Sequence, residues 1–204
     1  MSDIFPSAKH FISRESHSHS FDSKSPPALR VKVGDEIHVQ TWDCYKGAVV
    51  TEDDLTKPID DSLVNPATGP IFIEGAEPGD TLTVEIIDIK TSNRGVARFF
   101  PNEGQLHEKV KAPYGRFLNV TKETIYLTEN ISFPLNPMLG VIGVAPESGS
   151  ILTMPAGKHG GNLDNNNNTI GSKIYLPVKH NGALLGIGDM HASMGDGEIC
   201  GLSL

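Results

Sequence analysis

Residues 183–198 read ALLGIGDMHASMGDGE. An apolar run opens the stretch; a carboxylate, an imidazole and a glycine-rich acidic turn close it. Strand side chains alternate, so residues two apart share a face. If the run is a strand, Leu185, Ile187, Asp189 and His191 point the same way. Two apolar side chains then lead out of a core, and an oxygen and a nitrogen donor meet near one point. That pairing is a common seat for a divalent metal. Gly195, Asp196 and Gly197 permit a tight reversal that swings Glu198 back toward the pair. A buried unpaired carboxylate is costly, so several together imply a metal, another cation or a shared proton. The plainer alternative is an Asp189 that caps a turn and a His191 satisfied at the surface.

Strands are expected on both sides of this one. In VKVGDEIHVQTWDC (31–44) a Gly-Asp turn leads into period-two alternation. Ile37, Val39 and Thr41 share a face, and Asp43 should end that core-facing row as a candidate ligand, or else as a strand-terminal turn residue. AEPGDTLTVEIIDI (76–89) repeats the design: Asp88 follows Gly79 at the interval at which Asp43 follows Gly34. Turn chemistry alone selects Gly and Asp there; a duplicated half-barrel is the sharper alternative. Val, Ile, Thr and Tyr enrichment marks further strands at 70–73, 117–120, 123–126, 138–145, 149–154, 173–178 and 183–190. Short helices are expected only near 52–55 or 103–110, and the Asn165–Asn168 run reads as a loop. The expected fold class is all-β: an antiparallel β-sandwich or distorted barrel with long loops and few short helices. Residues 1–28 form a polar arm or edge strand ending in Pro26-Pro27, and 29–204 form the β-rich domain.

Composition narrows the function. The net charge of −8 lacks the clustered Lys and Arg of a nucleic-acid footprint and disfavours anionic partners. No stretch approaches the ~18 apolar residues of a membrane span. The amino terminus has no apolar signal region, and two cysteines, Cys44 and Cys200, are too few for a disulfide framework. A reduced cytoplasmic setting is expected.

A second polar cluster, Lys158-His159-Gly160-Gly161-Asn162-Leu163-Asp164, reads as a turn or as part of the site. There Asp164 is a candidate ligand, His159 a ligand or acid/base, and Asn162 a carbonyl-oxygen donor or a polariser of a substrate carbonyl. Glu74 is more readily an edge carboxylate than a catalytic one. His17 and His19 lie in the expected arm, where adventitious metal binding is the most to expect. Cys200, two positions after Glu198, reads as a small buried residue rather than a nucleophile.

Four segments, in order from about Ala28 onward, resemble the acetamidase/formamidase family: VGDEIHVQTWDCYKG (33–47), GPIFIEGAEPGDTLTVEIIDI (69–89), GGNLDNNNNTIGSKIYLP (160–177) and PVKHNGALLGIGDMHASMGDGEICG (177–201). The GDMHASMGDGE block is the specific part. The resemblance implies an all-β fold and metal-assisted hydrolysis of a short neutral amide, such as formamide or acetamide, to the acid and ammonia. It implies a divalent metal, zinc ahead of calcium. It carries Asp43, Asp164, Asp189 and His191 over as the metal-holding set and Glu198 as their acidic companion. General chemistry then makes Glu198 the proton carrier, with Asn162 and His159 as further catalytic candidates. Assembly as a homo-oligomer is expected. Members of the family run on past the GDGE block, so a truncated product, a domain fragment or a short relative is expected. The alternatives are a non-catalytic, metal-stabilised β domain or an inactive truncated relative.

Overall fold

The computed structural model describes residues 8–196 and 198. Among them are sixteen strands: β1 (His10–Ile12), β2 (His17–Ser18), β3 (Ser20–Asp22), β4 (Leu29–Lys32), β5 (Ile37–Val39), β6 (Ala67–Glu74), β7 (Thr81–Glu85), β8 (Arg94–Phe99), β9 (Tyr114–Val120), β10 (Thr124–Tyr126), β11 (Ser132–Pro134), β12 (Met138–Gly143), β13 (Ser150–Leu152), β14 (Gly160–Asn162), β15 (Lys173–Pro177) and β16 (Leu185–His191). The only helical segments among the described residues are short 3-10 turns, at Glu52–Thr56, Asp61–Leu63 and His107–Lys109. The all-β expectation holds, as open, mostly antiparallel sheets rather than a closed barrel.

Two sheets dominate. The larger has six strands: β14-β12-β16-β6-β2 in order, with β4 joining β6 in parallel. The smaller is a four-stranded antiparallel meander, β11-β10-β9-β8. Their sequences differ in the way burial dictates. Every residue of β12, MLGVIG, is buried, and in β16, LGIGDMH, only Met190 is not fully so. Strands covered on both faces read as near-continuous apolar runs rather than alternations. The edge pair β7 and β15 shows plain alternation of exposed and less exposed residues.

The main core lies on the six-stranded sheet and includes Ile71, Ile73, Leu139, Ile142, Val144, Leu185 and Ile187. The meander has its own small core of Leu118, Val120 and Ile125, which reaches Ala192, the residue after β16. The Asn136 amide donates to the Ala192 carbonyl at 2.9 Å. The end of β16 is thereby held where the two sheets meet.

The two Gly-Asp turns share one construction. The Asp35 carboxylate accepts from the Lys32 amide at 2.9 Å, and that of Asp80 from the Glu77 amide at 3.0 Å. The following glycine-free strands differ in pairing: β5 runs parallel to β1, and β7 runs antiparallel to β15. Turn chemistry accounts for the repeat, and the strand pairings give a duplicated half-barrel no support.

Three expectations narrow or change. Residues 10–22 take the edge-strand alternative and not the loose arm: β1 pairs with β5, β2 with β6 and β3 with β13. β5 stops at Val39, so Asp43 does not end a core-facing row; it is exposed in a turn. Residues 160–162, legible as a turn, form a short strand on β12. The strand at 94–99 was not foreseen, and the other expected strands are all present, with ends shifted by a few residues.

Candidate metal centre

The site forms where β16 ends and the loop after β14 crosses it. β12 pairs with β16 through Met138↔His191, Leu139↔Met190 and Val141↔Gly188, which brings Gly140 level with Asp189. The Gly140 carbonyl accepts from the Leu163 amide at 2.9 Å and the Asp164 amide at 3.3 Å. These bonds set Asp164 against the middle of β12. Asp164, Asp189 and His191 each direct one ligand-type atom into a space where all three atoms lie within 4.8 Å of one another. His191 Nε2 is 3.2 Å from Asp189 Oδ2 and 3.4 Å from Asp164 Oδ1.

Burial makes this grouping expensive. Asp189 is 5% exposed and His191 1%. The backbone is also under strain: Asp164 has φ 39°, Asp189 φ 50° and Glu198 φ 39°. A non-glycine residue in this left-handed region costs of the order of 1–2 kcal/mol, and such residues gather at functional sites. Three of them among four clustered side chains is a concentration that packing alone does not require.

The electrostatics follow from the crowding. Burial, then the charge of Asp189, raises the Asp164 carboxyl above its usual range. Burial, then the charge of Asp164, pushes Glu198 up to about 7. For His191, burial works against the charged ring, but the hydrogen bond and charge of Asp189 and the charges of Asp164 and Glu198 outweigh it, so the imidazole holds its proton more tightly than usual. Asp164 and Glu198 are also in side-chain hydrogen-bond contact.

A divalent cation fits these residues. Two carboxylates and one imidazole are donors suited to zinc and to harder cations alike. Asn162 Oδ1 is buried with no hydrogen-bond partner among the described residues, and Asp164 Oδ1 has only the His191 ring at 3.4 Å. Such acceptors are costly unless something positive faces them.

The sequence candidates separate into two groups. Asp164, Asp189, His191 and Glu198 come together, with Asn162 two residues from Asp164 on β14. Asp43 does not join them: its Oδ1 accepts from the Tyr45 and Gly47 amides, both at 2.9 Å, and closes its own turn. His159 is also apart. Its ring packs edge-on against Phe21 at 5.4 Å, and burial lowers its pKa. His17 and His19 each give Nδ1 to a main-chain carbonyl, of Arg14 and Val64. Glu74 is exposed at the end of β6, as an edge carboxylate should be. Gly197 and Cys200 lie outside the described residues, but Asp196 helps place Glu198: its carboxylate accepts from Asn166 Nδ2 at 2.9 Å, tying the loop after Asp164 to the loop before Glu198.

Two residues near the site escaped the sequence reading. Cys44 is one: burial, then the charges of Asp189 and Asp43, raise its thiol pKa well above normal, leaving it a neutral neighbour of the acids. Gly140 is the other. Its signal was available, since a glycine inside the apolar run MLGVIG marks a close approach.

Comparison with known proteins identifies the family of the chain. Residues 8–152 and 148–204 match the model of the Acetamidase/Formamidase family. The chain is 28% identical over 244 residues to the acetamidase of Mycolicibacterium smegmatis, covering 86% of this chain and 60% of that protein. It is 28% identical over 238 residues to the formamidase of Methylophilus methylotrophus, covering 86% and 58%. Among solved structures, it superposes on a predicted acetamidase/formamidase of Thermoanaerobacter tengcongensis with a TM-score of 0.91 at 40% identity, covering 95% of this chain and 64% of the other. A γ-lactamase of Delftia acidovorans gives 0.83 at 25% identity, covering 90% and 59%. The chain thus spans about 60% of the length of the curated relatives it matches. On the family match and these superpositions, the chain belongs to the acetamidase/formamidase family.

Proposed function

We propose that this chain carries the metal-assisted site of a hydrolase for short linear amides, formamide or acetamide being the substrates of simplest fit. The observation that carries the reading is the convergence of Asp164, Asp189 and His191 on one buried space beside Glu198. The names of its relatives, acetamidase and formamidase, support the choice of an amide.

Asp164, Asp189 and His191 would hold a divalent cation, zinc ahead of calcium. Such a cation supplies Lewis-acid polarisation and makes water a better nucleophile near neutral pH. Glu198, against Asp164 and on the far side of a glycine-flanked turn, is placed to take a proton from the attacking water. It then hands that proton to the leaving nitrogen. The carbonyl carbon gains the water oxygen, the C–N bond breaks, and the carboxylic acid and ammonia that form exchange a proton to leave as carboxylate and ammonium. Asn162, next to the donors, would orient the amide through its own side-chain amide. Asp43 and His159 have other duties in the fold and are left without a part in the reaction.

The test is ammonia release from formamide and acetamide, by metal-free chain and by chain supplied with Zn²⁺ or Ca²⁺. Release that depends on the metal is expected. Release that survives a chelator would remove the metal from the reading. Metal binding with no release from any short amide would favour a metal-stabilised β domain instead.

A further inference from the structure

Gly140 sits in the middle of β12, where neighbours on both sides are large and apolar. A glycine there weakens a strand and leaves a hole in its packing, so its presence needs a reason. Its backbone gives none, because Gly140 is absent from the positive-φ residues and any L-residue could adopt its conformation. The reason lies in front of it. A Cβ at position 140 would stand 2.8 Å from Asp164 Oδ1, 2.8 Å from His191 Nε2 and 2.8 Å from the Asp189 main-chain carbonyl oxygen. Those are the tips of the donors themselves, together with a carbonyl oxygen from the residue that takes φ 50°.

We infer that Gly140 is a positioning residue for the metal centre: its missing side chain keeps open the space that the Asp164 carboxylate, the His191 imidazole and the Asp189 carbonyl surround, and a cation enters only because no methyl group stands there. The inference rests on the proposed metal-dependent reading and adds the residue that makes room for the ion. It also adds the Asp189 carbonyl to the oxygen atoms that face that room.

A methyl group at 140 cannot be absorbed by one flexible tip. Asp164 is tethered by the hydrogen bonds from its own and Leu163's amide to the Gly140 carbonyl. The Asp189 carbonyl is main chain, and His191 is 1% exposed. The clash therefore moves at least one donor out of register. Binding sites tolerate displacements of only about half an ångström before affinity suffers.

The molecule supplies a matched control. Gly115 in β9 is equally crowded: a Cβ there would stand 2.8 Å from Leu55 Cβ and 2.9 Å from the Leu55 carbonyl, with no site donor among the nearest atoms it would meet. It too is absent from the positive-φ residues.

The experiment is titration of Zn²⁺, and separately Ca²⁺, into chelator-treated full chain, its Gly140→Ala variant and its Gly115→Ala variant, with thermal melts of all three without metal. We expect Gly115→Ala to lower the melting temperature and bind metal as the parent does. We expect Gly140→Ala to weaken binding by about tenfold or more, the loss seen when groups that orient ligands are disturbed. Equal affinity in Gly140→Ala and parent would overturn the inference while leaving the metal reading intact. A parent that binds neither ion would overturn both. If Gly140→Ala does not fold, it is made in an Asp164→Ala/His191→Ala chain, where both side-chain clashes are gone. Recovery of the fold there supports the crowding at the donors; failure to recover it would leave the Asp189 main-chain contact as the reason for the glycine and overturn the inference.

Discussion

The two principal sheets each bury charge, and they treat it in opposite ways. In the meander, Arg98 on β8 is 2% exposed. Its Nε donates to the Leu55 carbonyl at 2.8 Å, its terminal nitrogen donates to the Lys57 carbonyl, and the rings of Tyr45 and Phe100 lie within 4.8 Å and 4.6 Å of its guanidinium carbon. Every one of these partners is part of the fold, so the charge is settled without a ligand. On the six-stranded sheet, Asp189 and His191 are as deeply buried, yet they face Asp164 and Glu198 across strained backbone, with acceptor atoms left over. A buried charge that the fold fully satisfies is structural; one the fold leaves short is available for chemistry.

Substitutions on the sheet should break function and leave the fold, and these are the largest effects. Glu198→Gln keeps the shape and loses the proton carrier. Ammonia release should fall by about 10²–10⁴-fold, the usual worth of a placed acid or base, with metal content unchanged. Retained turnover would take Glu198 out of that role. His191→Ala should lose the metal itself, read by elemental analysis after dialysis. Full occupancy in that variant would show that the imidazole is not a ligand.

In the meander the signs reverse. Arg98→Met removes a donor from two buried carbonyls, each worth about 1–3 kcal/mol when stranded. The urea-unfolding free energy should drop by roughly 2–5 kcal/mol. Affinity for Zn²⁺ should stay within about twofold of the parent, because independent sites couple weakly. A large loss of affinity in Arg98→Met would dissolve the distinction between the two sheets.

How far the sequence revealed this contrast depended on the strand. β12, β15 and β16 were legible because buried β-branched and leucine runs have few other uses. β1, β2 and β3 were not: they are two or three residues long and rich in His and Ser, and only pairing with distant strands makes them strands at all. Asp189 and His191 could be read from their spacing at a strand end. Asp164 could be read from its glycine-rich polar cluster only as one of two alternatives, a ligand or part of an ordinary turn, and the family resemblance added weight to the first. Asp43 was misjudged because alternation says which residues share a face and not where the strand stops; the turn that ends β5 captures its carboxylate. Gly140 went unread because a residue that acts by having no side chain leaves no chemical signature, only a gap in an apolar run.

Asp35 extends the contrast to the surface and predicts the smallest effect. Its carboxylate accepts from Lys9 Nζ at 2.9 Å, from the Lys32 amide at 2.9 Å and lies 3.0 Å from His10 Nε2. The hydrogen bond from Lys9, then that from the Lys32 amide, holds its pKa well below the usual aspartate value. The charge is satisfied by the fold, as Arg98 is, so it should contribute stability and no chemistry. A carboxyl whose folded pKa lies below its unfolded value of ~3.9 stabilises the native state at every pH above that value. The contribution is lost as the pH falls below ~3.9 toward the folded pKa, because protons then bind the unfolded chain first. Asp35→Asn should therefore be less stable than the parent at pH 7 in urea titrations. The gap should narrow steadily as the pH is taken below about 4, while metal affinity at pH 7 is unchanged. A gap of constant size across that range would mean that the carboxylate's charge is not what holds the turn between β4 and β5 against β1.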